Sequence, residues 1–133
     1  MTDMELMRTA LRAREMAYAP YSEFYVGAAL LTVDGKVYTG CNIENASYSP
    51  TNCAERTAFF KAVSEGERNF AAIAIVGGRK DTPGGFCAPC GVCRQVMAEF
   101  CDADFRVILG DANQVQAFTL AELLPASFSK SNL

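Results

Sequence analysis

Two short fragments constrain this chain more than anything else in it: Cys53-Ala54-Glu55 and Pro89-Cys90-Gly91-Val92-Cys93. Three cysteines in this arrangement can supply three thiolates to one Zn²⁺ and leave its fourth position for water. That pattern separates a catalytic zinc from a closed structural one. A fold that uses all three must bring position 53 and positions 90 and 93 to one point. Glu55, two residues past the first thiolate, is placed to move protons on and off a bound water. The sequence contains no histidine, which excludes Ser-His-Asp and Cys-His mechanisms and leaves a zinc site to thiolates and carboxylates.

The rest of the composition narrows the class. The chain has 133 residues, 50% of them hydrophobic, which suits one compact domain spanning residues 1–133. A chain of this length buries about 65–70% of its unfolded surface, so its core needs no disulfides. Net charge is −3 and no Lys/Arg cluster exists, which argues against a nucleic-acid partner. No basic-then-apolar leader and no membrane-length apolar run is present, so the expected location is cytoplasmic, with no membrane partner. In a reducing compartment, six cysteines point to metal or redox chemistry rather than to a disulfide framework.

Along the chain, Thr2-Asp3-Met4-Glu5 reads as a capping box, and Leu6, Met7, Ala10, Ala13 and Ala17 follow at helical spacing. Pro20 breaks that helix. Phe24 to Val33 is an almost continuously apolar strand, and Asp34-Gly35 predicts a two-residue hairpin into Lys36–Cys41. Residues 42–52 form a polar loop, a place to expect ligand contacts. Cys53 opens a helix to about Ser64. Phe70–Val76 is a strand, and Gly77 to Gly85 reads as a mobile connection. Cys90 opens a helix to about Phe100, and Phe105–Leu109 and Val115–Thr119 are strands. Thr119-Leu120-Ala121-Glu122 repeats the capping-box pattern before Pro125. This order predicts an α/β fold, a mixed five-stranded sheet sandwiched between helices.

Cys90 and Cys93, at i and i+3, face the same way, and both cysteine fragments lie at helix starts, where the positive dipole end favours thiolate. Three thiolates leave a zinc site with net negative charge. Arg56 and Arg94 are both candidates to offset it by donating to sulfur. Two other readings of the cysteines stand beside this one. Cys90-Gly91-Val92-Cys93 alone fits a redox pair, and Cys87 with Cys53, Cys90 and Cys93 fits a closed four-thiolate zinc. An oxidisable Cys87 beside the site also predicts sensitivity to peroxide. On periodicity, Phe24 belongs to the core.

Cys-Ala-Glu-Arg followed by Pro-Cys-Gly-x-Cys-Arg-Gln resembles the zinc-dependent cytidine deaminase family, in its three-cysteine, small-subunit branch. Tyr18-Ala19-Pro20-Tyr21-Ser22, Val26-Gly27-Ala28-Ala29, Gly40-Cys41-Asn42-Ile43-Glu44-Asn45-Ala46 and Glu122-Leu123-Leu124-Pro125 resemble the same family in the same order. The resemblance implies a three-layer α/β/α fold with one Zn²⁺ per subunit on Cys53, Cys90 and Cys93. Glu55 would be the proton shuttle while a zinc-activated water attacks C4 of the base. It further implies that Phe24 packs on the pyrimidine and that Asn42 and Glu44 bind the ribose hydroxyls. The Ala88 carbonyl would accept from the exocyclic amine and the Ala54 N–H would donate to the base carbonyl. Ala46, Tyr48 and Phe128 would serve sites in neighbouring subunits of a homotetramer. The implied function is hydrolytic deamination of cytidine and deoxycytidine in pyrimidine nucleoside salvage. Its alternatives are a deaminase of another aminopyrimidine nucleoside, blasticidin-like, and a structural or redox zinc-thiolate module.

Overall fold

The computed structural model describes residues Met1–Leu133. In chain order the elements are α1 (Asp3–Arg14), β1 (Phe24–Thr32), β2 (Val37–Cys41), α2 (Ala54–Ser64), β3 (Phe70–Arg79), α3 (Gly91–Phe100), β4 (Arg106–Gly110), β5 (Val115–Thr119) and α4 (Leu120–Leu123), with a 3₁₀ turn at Lys130–Asn132. The strands form one mixed sheet in the order β2-β1-β3-β4-β5. Only the β3–β4 pairing is parallel, and the chain between those two strands carries α3. No helix is long and apolar enough to cross a membrane.

Both faces of the sheet are covered, which is why β1, β3 and β4 read as continuous apolar runs rather than alternating ones. On one face, Leu6, Met7 and Ala10 of α1 pack on Ala29, Ala72, Ala74, Val76 and Ile108. On the other, Ala54, Ala58, Phe59 and Ala62 of α2 and Met97 of α3 pack on Ala28, Leu30, Ile73, Ile75, Val107 and Leu109. Phe59 is the centre of this second core, with the rings of Phe70 and Phe105 at 5.2 and 6.1 Å. Burying such a side chain is worth about 1.5–3 kcal/mol. The sheet residues facing α1 include several alanines, and Gly27 lets that helix come close. A Cβ at Gly27 would lie 2.1 Å from the Ala10 carbonyl oxygen and 2.5 Å from the Arg14 nitrogen.

Both expected capping boxes form, at Thr2/Glu5 and at Thr119/Glu122. Three boundaries differ from the sequence reading. The first helix stops at Arg14 rather than near Ala17, because Tyr18 must be extended to donate its N–H to the Asn42 carbonyl at 2.9 Å. The hairpin after β1 spans residues 33–36, wider than two residues. The Thr32 hydroxyl draws the turn around itself by accepting from the Lys36 N–H at 2.9 Å and donating to Asp34. The glycines after Val76 are strand, not a mobile connection. Gly77, Gly78 and Arg79 pair with Val26, Tyr25 and Phe24, and Gly77 also exchanges backbone hydrogen bonds with Gly85.

Candidate metal centre and substrate edge

Cys53 and Cys90 are the N-caps of α2 and α3, each with extended backbone and neither spending its side chain on a cap hydrogen bond. Both sulfurs are therefore free to turn toward each other, and Cys93 joins them from the first turn of α3. The Cys53–Cys90 and Cys90–Cys93 Sγ separations are 3.8 and 3.5 Å, and all three sulfurs lie within 4.8 Å of one another. A tetrahedral ion with thiolates at about 2.3 Å spaces its sulfurs by about 3.8 Å, so the donor set fits zinc. Cys93 is buried, Cys53 half-buried and Cys90 exposed, which leaves the cluster open on one side. Cys87 is not part of the cluster.

The position of Cys53 depends on how closely α2 lies on β2. A Cβ at Gly40 would meet the Ala54 carbonyl oxygen at 2.3 Å and the Ala58 nitrogen at 2.6 Å. Any larger residue there would push the start of α2, and its thiol, away from Cys90.

The charges around the sulfurs are asymmetric. Arg56 Nη2 donates to Cys53 Sγ at 3.2 Å, while its Nε is buried without a partner. An orphaned cationic N–H beside three thiols fits a site built for negative charge. Arg94 points elsewhere, its Nε to the Pro89 carbonyl at 2.8 Å and its Nη1 to the Leu123 carbonyl at 2.6 Å. It fastens the approach to Cys90 rather than touching sulfur. Hydrogen bonding from Cys93, with Arg56 reinforcing it against burial, holds the Cys53 thiol down to about 5. The Cys93 thiol is displaced upward by its bond to Cys53 and by burial, so without metal it is the last of the pair to ionise.

Glu55 is only 4% exposed, and burial, with the Cys53 charge adding to it, pushes its carboxyl up to about 7. A carboxyl that gains and loses a proton near neutrality, next to an open metal position, is equipped for proton transfer. Cys87, by contrast, is pushed up to about 11 by burial and by the surrounding negative groups, and carries little thiolate.

Of the substrate residues suggested by the sequence, Ala54 and Ala88 are chain neighbours of Cys53 and of the Pro89–Cys90 pair, while Phe24, Asn42 and Glu44 lie at the start of β1 and in the loop after β2. Phe24, which periodicity places in the core, opens β1 and is 39% exposed. Ala54 is the first residue of α2, where N–H groups lack intrahelical acceptors. Ala88 is exposed just before the buried Pro89. Asn42 is buried; its Oδ1 accepts from Val26 N–H at 2.9 Å and its Nδ2 donates to the Phe24 carbonyl at 2.8 Å. Glu44 accepts from the Tyr21 and Ser22 amides at 3.0 and 3.1 Å and from the Ser22 hydroxyl. Slight burial opposes its ionisation, but these donors outweigh it and hold the carboxyl below its usual range. Tyr21, Ser22, Glu44, Asn45, Tyr48 and Thr51 line a cleft of about 360 Å³.

Ala46 is exposed in the same loop, and Tyr48 is 71% exposed with a left-handed backbone (φ 63°). Phe128 is also exposed, far from Tyr48 in sequence, and Gln95 Nε2 holds its carbonyl at 2.8 Å. Two supporting residues escaped the sequence reading: Ser22, which orients Glu44, and Gln95, which anchors the Phe128 segment. Ser22 stood inside a segment read as a helix breaker. Gln95 gave no signal beyond ending the Pro-Cys-Gly-x-Cys-Arg-Gln stretch that resembles the family.

Residues 1–109 match the family model of the cytidine and deoxycytidylate deaminase zinc-binding region. A cytidine deaminase of Sporosarcina psychrophila is 55% identical over 97% of this chain and 93% of its own length. Another, from Halalkalibacterium halodurans, is 55% identical over 96% of this chain and 95% of its own. Among solved structures, the cytidine deaminase of Burkholderia pseudomallei superposes with a TM-score of 0.88 at 52% identity, covering 96% of this chain and 100% of that one.

Proposed function

The chain belongs to the cytidine and deoxycytidylate deaminase family, and from that premise we propose that it is a zinc-dependent hydrolase converting cytidine and deoxycytidine to uridine and deoxyuridine. The balance is one nucleoside and one water in, one deaminated nucleoside and one ammonia out. The observation that carries the reading is the convergence of Cys53, Cys90 and Cys93, with sulfurs within 4.8 Å, beside the buried carboxyl of Glu55.

One Zn²⁺ per subunit, held by Cys53, Cys90 and Cys93, would supply a Lewis acid that makes a water molecule nucleophilic near neutral pH. Glu55 would take one proton of the attacking water and deliver it to N3, then take the second from the hydroxyl this leaves on C4 and pass it to the departing amine, so that both protons of the water are placed. A carboxyl held near 7 can do both. Arg56 draws charge from the Cys53 sulfur, which offsets the excess negative charge of three thiolates.

The base is read by backbone. The Ala54 N–H donates to the carbonyl oxygen of the base, and the Ala88 carbonyl accepts from the exocyclic amine. Once that amine has become a carbonyl, it faces the Ala88 oxygen with no proton to offer, which favours product release. Phe24 supplies an apolar face to the ring. Asn42 and Glu44 address the sugar hydroxyls; Asn42 Nδ2 has a second N–H available beyond the one given to Phe24.

The exposed Ala46 loop, Tyr48 and Phe128 fit a homotetramer in which neighbouring chains complete each site. Residues 1–133 would act as one catalytic domain, in the cytoplasm, where thiol ligands stay reduced. Net charge of −3 without a basic patch favours free nucleosides in salvage over polynucleotides.

The test measures ammonia and deaminated product from cytidine, deoxycytidine, a blasticidin-type nucleoside and a cytosine-bearing single-stranded oligonucleotide. Turnover of the first two is expected. Turnover of the blasticidin-type compound alone would reassign the substrate, and no turnover by zinc-loaded protein would leave a thiolate module. Light scattering beside the assay reads the subunit number.

A further inference from the structure

We propose that Arg14, on the opposite face of the sheet from the cysteines, is a positioning residue that sets the gap between Phe24 and the Cys87–Ala88 segment. The inference rests on the base-binding role given above to Phe24 and Ala88.

Arg14 is the last residue of α1, and its guanidinium is spent entirely on backbone carbonyls of two other segments. Nε donates to the Tyr25 carbonyl at 2.9 Å, Nη1 to the Thr82 carbonyl at 3.1 Å, and Nη2 to the Arg79 carbonyl. The first acceptor is one residue from Phe24 on β1. The other two bracket the turn that ends β3 and starts the return toward Cys87. One planar fork therefore ties the two strands together where they leave the sheet.

The backbone beside the fork is close-packed. A Cβ at Gly78 would lie 3.1 Å from Thr82 Oγ1 and in ordinary contact with Arg14 Nη2 at 3.4 Å, and one at Gly84 would meet Val76 Cγ2 at 2.5 Å. Gly77 of β3 lies between β1 and the returning chain, paired with Val26 on one side and bridged to Gly85 on the other. The space a Cβ would take at Gly77 is filled from two directions, by Phe24 Cε2 at 2.9 Å and Cys87 Sγ at 2.9 Å. The Phe24 ring and the Cys87 side chain thus meet over Gly77, and their spacing follows from where β1 and the returning chain are held. Arg14 holds both. A lysine keeps the charge, but a single ammonium lacks the rigid fork that spans carbonyls in separate segments.

The test compares kcat and KM for cytidine in the zinc-loaded full chain, its Arg14→Lys and Arg14→Ala variants, and Ile108→Val. Ile108 is fully buried under α1 and away from the cysteines, and serves as a control for general destabilisation. Arg14→Ala is expected to raise KM about 5- to 20-fold with kcat within about threefold of the parent. Arg14→Lys should fall nearer to Arg14→Ala than to the parent, with zinc content unchanged in both. The inference is overturned if KM stays within about twofold in Arg14→Ala, if Arg14→Lys matches the parent, or if Ile108→Val raises KM equally at the same loss of Tm. If Arg14→Ala does not fold, Arg14→Lys and the control decide it. A parent chain that binds zinc but leaves cytidine untouched removes the functional reading itself, and this inference with it.

Discussion

Arg56 Nη2 lies 3.2 Å from Cys53 Sγ, so a guanidinium three residues along the same helix donates to one of the three sulfurs that converge at the site. Arg56 stands three residues past Cys53, so one turn of α2 brings its guanidinium within reach of that sulfur. The Nε of the same guanidinium is buried with no acceptor, which fits surroundings that carry negative charge.

Arg56→Gln removes that charge while keeping polar donors near the sulfur. Activity on cytidine should fall about 10- to 100-fold, the range for lost outer-sphere partners of metal ligands. The rising limb of the pH–rate profile should move to higher pH, because a more negative thiolate set makes the bound water less acidic. An unchanged profile would mean that Arg56 is only structural.

Glu55→Gln keeps the shape of the buried side chain but cannot accept a proton. Turnover should fall by at least about 10²–10⁴-fold, with zinc content measured by metal analysis staying near one per chain. Retained turnover would move the proton transfer to another group.

Gly40→Ala places a methyl carbon 2.3 Å from the Ala54 carbonyl oxygen and 2.6 Å from the Ala58 nitrogen. Both are helix backbone and cannot swing aside as a side chain can. The cost should reach about 3 kcal/mol, the upper part of the usual overpacking range, and zinc affinity should fall with it as Cys53 moves from Cys90. Thermal unfolding and a competitive zinc titration check the two effects together.

Cys87→Ser should leave the rate of inactivation by peroxide unchanged. The sequence alone suggests an oxidisable thiol beside the site. Burial instead pushes Cys87 up to about 11, so its reactive thiolate is scarce at neutral pH. A variant clearly more resistant than the parent would restore the sequence reading.

Asp3 pairs with Arg106 across α1 and β4, with Nη1 to Oδ1 at 3.0 Å, and that contact holds its carboxyl below the usual range. A depressed carboxylate contributes stability above its unfolded value, near 3.9, and loses it as pH falls through the lower folded value. Side-chain exposures of 35% and 46% for Asp3 and Arg106 keep the contribution to about 0.2–1 kcal/mol. Asp3→Asn should lower Tm by about 1–4 °C at pH 7, and the difference should close as the pH falls through the lowered value of the Asp3 carboxyl.

Much of the architecture was legible because its signals are local. The capping boxes at Thr2 and Thr119, the apolar runs of β1 and β3, and the helix starts at Cys53 and Cys90 depend on neighbours within a turn or a strand. Strand ends were harder to place. Gly77-Gly78 has the composition of a loop, and it becomes strand only because β1 is there to pair with it and Phe24 and Cys87 occupy the space above it.

The same division runs through the site. By itself, the sequence determined the chemistry: three thiolates at two helix starts, a carboxyl two residues from one of them, and no histidine to compete. Backbone spacing along each helix fixes Glu55 beside Cys53 and Cys90 beside Cys93, and the fold brings the two helix starts together. Only the tertiary structure decided which arginine reaches sulfur, that Phe24 is exposed at the start of β1, and that Arg14 ties β1 to the turn after β3. Long side chains and edge positions take whatever partners distant segments bring within a few ångströms, and no local pattern records which those will be.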